Sequence, residues 1–411
     1  MRRGRVVVRT IRSIQSGSPG HRAKGRRVDR ESFEAARDSL RRYVRERLVP
    51  LEDRVAAENR IPEEVVGEMR DMGLFGLTIP ESHGGLGLTV AQEVELVIEL
   101  TWASAAFRSL IAMNLGVGSQ GILVDGTDAQ RDAWLPRIAS GEVIAAFALT
   151  EPDSGSDSAS MRTRAVRDGD AYVINGSKRF ISNAPLAGLF TVMARTAPEN
   201  LPGNRHVSAF LVPASTPGVR IGEKDQKMGH AGAATADVYF DDVRIPAANL
   251  LGGQEGQGFR TAMKVLERGR INISALCVGQ AKRLLHEMLA YATQRRQFGK
   301  PIAGFQLVQA MLADSQADLL AAESMVRHTA RLHDEGRSVA IEASCCKLFA
   351  SEMVGRIADR AVQVHGGAGY MQESKVERFY RDVRLFRIYE GTTQIQQLVI
   401  ARELVRNFAT I

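Results

Sequence analysis

The sequence predicts an α+β chain: an N-terminal all-helical domain, a middle β-barrel or β-sandwich domain, and a C-terminal four-helix bundle. Three observations predict it. Apolar residues recur at helical spacing from about Asp29 to Glu142. The period shifts towards two from about Val143 to Gly253, and long amphipathic segments return from about Gly256 onward. The boundaries that follow are a basic, disordered tail over 1–28, a helical domain over 29–145, a β domain over 146–253 and a helical bundle over 254–411.

In the first domain Leu40, Tyr43 and Val44 share one helical face, and Val65, Val66, Met69 and Met72 share another. Ile61-Pro62-Glu63-Glu64 reads as a helix start, with proline early and acids in the first turn. GLTIPESHGGLGLT (76–89) is a loop between helices, punctuated by glycine and proline. In the β domain, MRTRAVRDGDAYVINGSKRFIS (161–182) alternates apolar and polar residues, with Asp168-Gly169 and Asn175-Gly176 as turn signals. LFTVMART, VSAFLVPA and ATADVYFDDVRIP are further strands. In the bundle, helices are expected over 258–294, 304–336, 340–366 and 391–408. Brief connections such as FGKPIAGF (298–305) make them antiparallel neighbours.

A chain of 411 residues buries a substantial core, and 44% hydrophobic with 25% charged residues is an ordinary globular composition. No run approaches the roughly eighteen apolar residues of a membrane-spanning helix. The net charge of +7 does not mark an acidic partner, because it is local. Residues 1–28 hold Arg2, Arg3, Arg5, Arg9, Arg12, Arg22, Lys24, Arg26 and Arg27 and no acid. Removing those nine from 54 basic residues leaves 45 against 47 acidic ones. An acid-free tail of this kind suits a disordered or upstream-start extension, a mitochondrial transit peptide or a nucleic-acid-binding arm. Cys277, Cys345 and Cys346 have neither disulfide nor zinc-site spacing, which fits buried thiols in a reducing compartment and no metal.

Three segments carry chemistry. FALTEPDSGSD (147–157) runs a strand into a Gly/Ser turn whose N–H groups and hydroxyls suit a flavin edge or pyrophosphate, though such a turn is also an everyday loop. RRQFGKPIAGFQ (295–306), standing alone, is a solvated helix end. QVHGGAGYMQES (363–374) is followed by RDVRLFRIYEGTTQIQ (381–396), and its glycines allow a ligand close to the backbone or simply break a helix. GGAG follows no strand and is not a dinucleotide fingerprint.

Together with INGSKRFISN and YFDDVRIP, these segments in this order resemble the acyl-CoA dehydrogenase family from residue 29 to 411. The resemblance implies FAD as cofactor, with contacts from Phe147, Leu149, Thr150, Gly155 and Ser156, the last also near the CoA ligand. Phe180 and Ser182 stand where the family often has Trp and Thr beside the isoalloxazine, keeping a stacking surface and a hydroxyl. Arg295, Phe298, Gln306, Gln363, Gly366 and Gly367 match positions that bind the adenine and pyrophosphate half from a neighbouring subunit, and Thr392 and Gln394 complete the cofactor set. A shared site implies a homo-oligomer, in this family usually a tetramer.

Glu390 matches the general base that removes the thioester α-proton, with the β-hydrogen leaving as hydride to flavin N5. Taken alone, Glu390 is a surface acid before a helix. Some relatives place the base within the segment matching VLERGRINIS (265–274), where the equivalent position is Gly269 and cannot serve. Glu267 and Arg270 match positions that contact substrate near the pantetheine, and Gly391 lies beside the base. Arg108, in SAAFRSLIAMN (104–114), resembles the arginine of glutaryl-CoA dehydrogenases that engages a distal carboxylate, although Ala112 replaces a serine found there. The alternative is a structural arginine.

The function implied is FAD-dependent α,β-dehydrogenation of an acyl-CoA in fatty acid or amino acid catabolism, reoxidised by electron-transferring flavoprotein. The alternatives are a dicarboxylyl-CoA dehydrogenase, an oxygen-using oxidase, and a nucleic-acid-associated flavoprotein or monooxygenase of the same fold. A bacterial cytoplasm is the expected location, with a mitochondrial matrix as the alternative.

Overall fold

A computed structural model describes residues 29–408. The expectations for the tail, residues 1–28, lie outside the described residues.

The N-terminal part is helical: α1 (Arg30–Tyr43), α2 (Glu52–Glu58), α3 (Glu63–Asp71), α4 (Val90–Leu100), α5 (Ala105–Leu115), α6 (Gln120–Asp125) and α7 (Asp128–Ala139). α3 starts directly after Pro62, as the Pro-Glu-Glu signal requires. α4 and α7 each begin with a capping box, Thr89 with Gln92 and Thr127 with Gln130. Each box satisfies N–H groups that the first turn leaves without intrahelical partners. The loop over 76–89 passes through two short 3-10 turns between α3 and α4.

The middle part is one curled seven-stranded sheet: β1 (Ala145–Ala148), β2 (Arg164–Asp168), β3 (Ala171–Ser182), β4 (Leu189–Arg195), β5 (Val207–Pro213), β6 (Val219–Lys224) and β7 (Thr235–Pro246). The strand order is β1-β4-β2-β3-β7-β6, with β5 on the other edge of β4. Asp168-Gly169 makes the β2–β3 turn as expected. Asn175-Gly176 does not make a turn: it lies inside β3, where the register against β7 shifts. A Cβ at Gly176 would stand 2.5 Å from the Thr163 hydroxyl oxygen, so the glycine serves a close approach. Asn175 spends its carboxamide on Asp242 across the bulge.

The C-terminal part contains α8 (Gly258–Gln294), α9 (Gln306–Asp334), α10 (Ala340–His365), α11 (Lys375–Val383) and α12 (Thr393–Phe408). The four long helices end within two residues of the expected bounds, and the short α11 adds a fifth. RRQFGKP forms a small hairpin of Arg296–Gln297 and Lys300–Pro301 between α8 and α9. α4 shares the bundle's core: Val90, Val94, Val97 and Ile98 pack with residues of α8, α9 and α10. α2 is fastened to α8 by the buried Glu52–Arg283 pair at 3.3 Å. Among the described residues, no helix is long and apolar enough to cross a membrane.

Candidate active site

After α11 the chain makes a 3-10 turn at Arg384–Arg387 and then reverses through Glu390 and Gly391 at φ of +55° and +87°. A left-handed backbone at a glutamate costs on the order of 1–3 kcal/mol and persists only where its surroundings impose it. The surroundings here are specific. Gln396 Nε2 donates to the carbonyls of Glu390 (3.0 Å) and Gly391 (3.1 Å), and Lys347 Nζ donates to the Gly391 carbonyl at 2.7 Å. The Thr392 hydroxyl accepts from Ile395 N–H at 3.2 Å and so caps α12.

The turn carries the Glu390 side chain onto α8. A Cβ at Gly269 would lie 2.7 Å from Glu390 Oε2, so the carboxylate fills the space a side chain at 269 would need. Oε2 is buried and has no hydrogen-bond partner among the described residues. Burial pushes the Glu390 carboxyl above its ordinary value, against the opposing pull of Arg108, Arg270 and Lys347.

Arg108 projects from α5 and is 7% exposed. Its Nη2 donates to Asn272 Oδ1, and its Nε has no partner. No carboxylate among the described residues forms an ion pair with it. Asn272 is oriented in turn, because its Nδ2 donates to Glu93 Oε1 at 2.9 Å while Arg268 holds Glu93 Oε2 at 2.7 Å. Arg270 is also buried; it donates to the Ser344 hydroxyl at 3.2 Å and leaves its Nε unpartnered. Glu267 lies one turn earlier on α8, its carboxyl raised by burial and opposed by Arg270.

The loop after β1 is organised around Glu151. Its carboxylate accepts from Arg162 N–H (2.6 Å), Thr163 N–H (3.0 Å) and the buried Lys178 Nζ (2.8 Å). Lys178 also donates to the Leu149 carbonyl at 3.1 Å, and Arg179 N–H donates to the Thr150 carbonyl at 2.8 Å. These bonds hold Leu149 and Thr150 against Lys178 and Arg179, the residues just before Phe180, which is 59% exposed at φ +58°; Phe147 lies two residues before Leu149, on β1. Gly155 and Ser156 form the exposed tip of the loop. Ser182 ends β3, and the next residue, Asn183, donates to the Ser109 and Leu110 carbonyls of α5. The sheet is thereby joined to the helix that carries Arg108.

Arg295, Phe298, Gln306, Gln363, Gly366 and Gly367 gather elsewhere. Tyr291 stacks on His365 with ring centroids 4.3 Å apart, which holds the ends of α8 and α10 together. Phe298 is 93% exposed, and the Arg295 guanidinium has no partner among the described residues. At the helical rise of 1.5 Å per residue, Arg295 lies about 39 Å along α8 from Gly269. One chain therefore does not bring this group to Glu390. Thr392 directly follows the Glu390–Gly391 turn, and Gln394 is exposed on the first turn of α12.

Three family models account for this architecture in order: the acyl-CoA dehydrogenase N-terminal domain over residues 30–142, the middle domain over 146–243 and the C-terminal domain over 256–405. The chain belongs to the acyl-CoA dehydrogenase family. Members of this family are FAD-dependent flavoproteins, oxidoreductases acting on CH–CH groups in fatty acid and amino acid catabolism. An acyl-CoA dehydrogenase of Bacillus subtilis (strain 168) is 40% identical over 369 residues, covering 90% of this chain and 97% of that protein. The caffeyl-CoA reductase-Etf complex subunit CarC of Acetobacterium woodii is 40% identical over 354 residues, covering 86% and 93%. The solved glutaryl-coenzyme A dehydrogenase glutaryl-CoA complex superposes with a TM-score of 0.87 at 32% identity, covering 93% of this chain and 97% of that one.

Sequence reasoning missed the residues that hold the site together: Glu93, Asn272, Lys347, Gln396 and the Glu151–Lys178 pair. One signal was present. Lys347 falls on the helical stripe of Ala343, Ala350 and Val354, where a charge is out of place.

Proposed function

We propose that the chain oxidises an acyl-CoA thioester to the trans-2-enoyl-CoA, with Glu390 taking the α-proton. The observation that carries this reading is the Glu390 carboxylate: buried, unpartnered at Oε2 and facing three cations. A thioester α-proton is weakly acidic, so its base needs desolvation and a raised pKa. The Glu390 N–H makes no hydrogen bond among the described residues. It is therefore free to donate to the thioester carbonyl as negative charge develops there. Glu267 and Arg270, which flank Gly269 on α8, would meet the pantetheine.

The residues fit a flavin. Phe180 offers an exposed ring, Gly155 and Gly367 face open space, and Arg295 is an exposed cation with a fork suited to phosphate. Phe147, Leu149, Thr150, Ser156 and Ser182 would line the isoalloxazine, with Thr392 and Gln394 close to the base turn. When bound, the flavin accepts the β-hydrogen as hydride. The separation of Arg295 from Glu390 along α8 supports a cofactor shared between two copies, and hence an oligomer, for which a tetramer is our reading. The relationship to an Etf-complex subunit supports electron-transferring flavoprotein as the acceptor. Three free thiols and bacterial relatives support a bacterial cytoplasmic location.

A second reading concerns the acyl group. Arg108 is buried and forms no ion pair among the described residues: it bonds Asn272, its Nε is unpartnered, and it acts on the Glu390 carboxylate only at longer range. A distal carboxylate on the substrate would pair with it, as in a glutaryl-CoA-type reaction.

Anaerobic bleaching of the flavin against a panel of acyl-CoAs tests both readings. The panel spans short, medium and branched monocarboxyl chains and glutaryl-CoA. Rapid bleaching by one class is expected, and bleaching by glutaryl-CoA alone would assign Arg108 to a substrate carboxylate. No bleaching by any member, with FAD bound, would overturn the dehydrogenase reading. Gly269→Ala supplies a second check. Its methyl group would displace only the flexible end of Glu390, so the fold should survive while flavin reduction falls about tenfold or more. An unchanged rate would mean the carboxylate does not work from where it lies.

A further inference from the structure

We propose that Lys347 is a positioning residue for the base, fixing the Glu390–Gly391 turn together with Gln396 and keeping a positive charge within reach of the carboxylate. This rests on Glu390 acting as the base. Lys347 is 0% exposed on α10, among apolar neighbours, where a leucine or methionine would pack at no electrostatic cost. No acid among the described residues forms an ion pair with it. Its hydrogen bond goes to the Gly391 carbonyl at 2.7 Å, one residue beyond the base.

The turn needs such a clamp. Both of its residues are left-handed, and the first is a glutamate, for which that conformation is strained. Its two carbonyls are held by donors from two helices, Lys347 from α10 and Gln396 from α12. The carboxylate at the far end of the same residue lies on a third helix, α8, at Gly269. Fixing the turn to α10 and α12 therefore fixes the base relative to α8, and aims its N–H.

The charge has a separate effect. The titratable groups facing Lys347 are Glu390 from the turn, Arg270 and the Cys277 thiol (kept neutral by its burial) from α8, and Glu352 on its own helix. Those facing Glu390 are Arg108 from α5, Arg270 from α8 and Lys347 from α10. Each cation favours the ionised base, so removing one raises the pH needed to ionise it.

Two substitutions separate the effects. Lys347→Gln keeps a donor for the Gly391 carbonyl and removes the charge, whereas Lys347→Met removes both. The measurement is the rate of anaerobic flavin reduction by the best acyl-CoA of the panel, across pH, with FAD content and melting temperature recorded alongside. The methionine variant should fold and hold FAD, since the charge it removes forms no ion pair, and its melting temperature records the loss of the hydrogen bond to Gly391. Its reduction rate at saturating substrate should fall about 100-fold, the effect of a displaced catalytic group. The acid limb of its profile should move to higher pH by about one unit. The glutamine variant should show the same pH displacement while recovering most of the rate. Parent-like rates and profiles in both variants would overturn the proposal. So would a loss of stability and FAD with the acid limb unmoved, which is what a purely structural lysine gives. Glu390→Gln, run in parallel, keeps the two ideas apart. If it is inactive while both Lys347 variants behave like the parent, only the positioning role falls. If it reduces its flavin normally, the base assignment falls and the positioning role with it.

Discussion

Glu390→Gln should yield a protein that holds FAD and binds CoA thioesters yet reduces its flavin about 10³- to 10⁴-fold more slowly, the upper range for removing a general base. The glutamine keeps the shape of the side chain, and the turn is held through backbone carbonyls that the substitution leaves in place. Binding and chemistry should therefore separate, with the substrate concentration at half-saturation little changed. In the parent, the rate should rise with pH through an apparent pKa above the ordinary carboxylate value of 4.5, because burial raises this group. The direction for stability is opposite. A carboxyl whose pKa is raised by folding binds more protons in the folded chain than in the unfolded one. Stability therefore falls as pH rises from 4.5 through the raised value. The glutamine variant does not titrate, so at neutral pH it should melt at least as high as the parent. Reduction at the parent rate would remove Glu390 from the mechanism.

The largest effect on stability is expected from separating Glu151 and Lys178. Lys178 is 0% exposed and Glu151 5%, and breaking a buried pair by removing one partner typically costs about 3–5 kcal/mol. Lys178→Met would leave the Glu151 carboxylate with its two backbone donors but no cation. It would also free the Leu149 carbonyl. The loop from Leu149 to Thr163 lines the proposed flavin surface, so loss of FAD should accompany loss of stability. Denaturant unfolding and flavin content measure the two. The double variant Glu151→Gln with Lys178→Met removes both charges and should recover part of the loss. A single variant that loses under about 1 kcal/mol and keeps its FAD would show that the pair does not organise the loop.

The fold was legible because its signals are local and repeated. Helices such as α8 and α10 carry an apolar stripe over seven or more turns, and Pro62 marks the start of α3 by its own chemistry. Local signals also misled. Asn-Gly is a strong hairpin signal, yet at 175–176 the glycine answers to Thr163, which stands just before β2 and reaches Gly176 only once β2 and β3 have paired. The site divides in the same way. Glu390 was legible through the segment around it, not through any property of a lone glutamate.

By itself, then, the sequence determined the helical–β–helical order, the lengths of the long helices and the segment that presents Glu390. These depend on periodicities and turn residues that act within a few positions of themselves. Only the tertiary structure decided that Glu390 lies on Gly269, that Arg108 is buried without an ion pair and bound to Asn272, and that Lys347 donates to the Gly391 carbonyl. It also set the Arg295 group far along α8 from Glu390. Burial and pairing are properties of what packs around a residue, and the packing partners here lie tens to hundreds of positions away: Lys347 and Gly391 are 44 residues apart, Arg108 and Asn272 164. No window along the chain contains them.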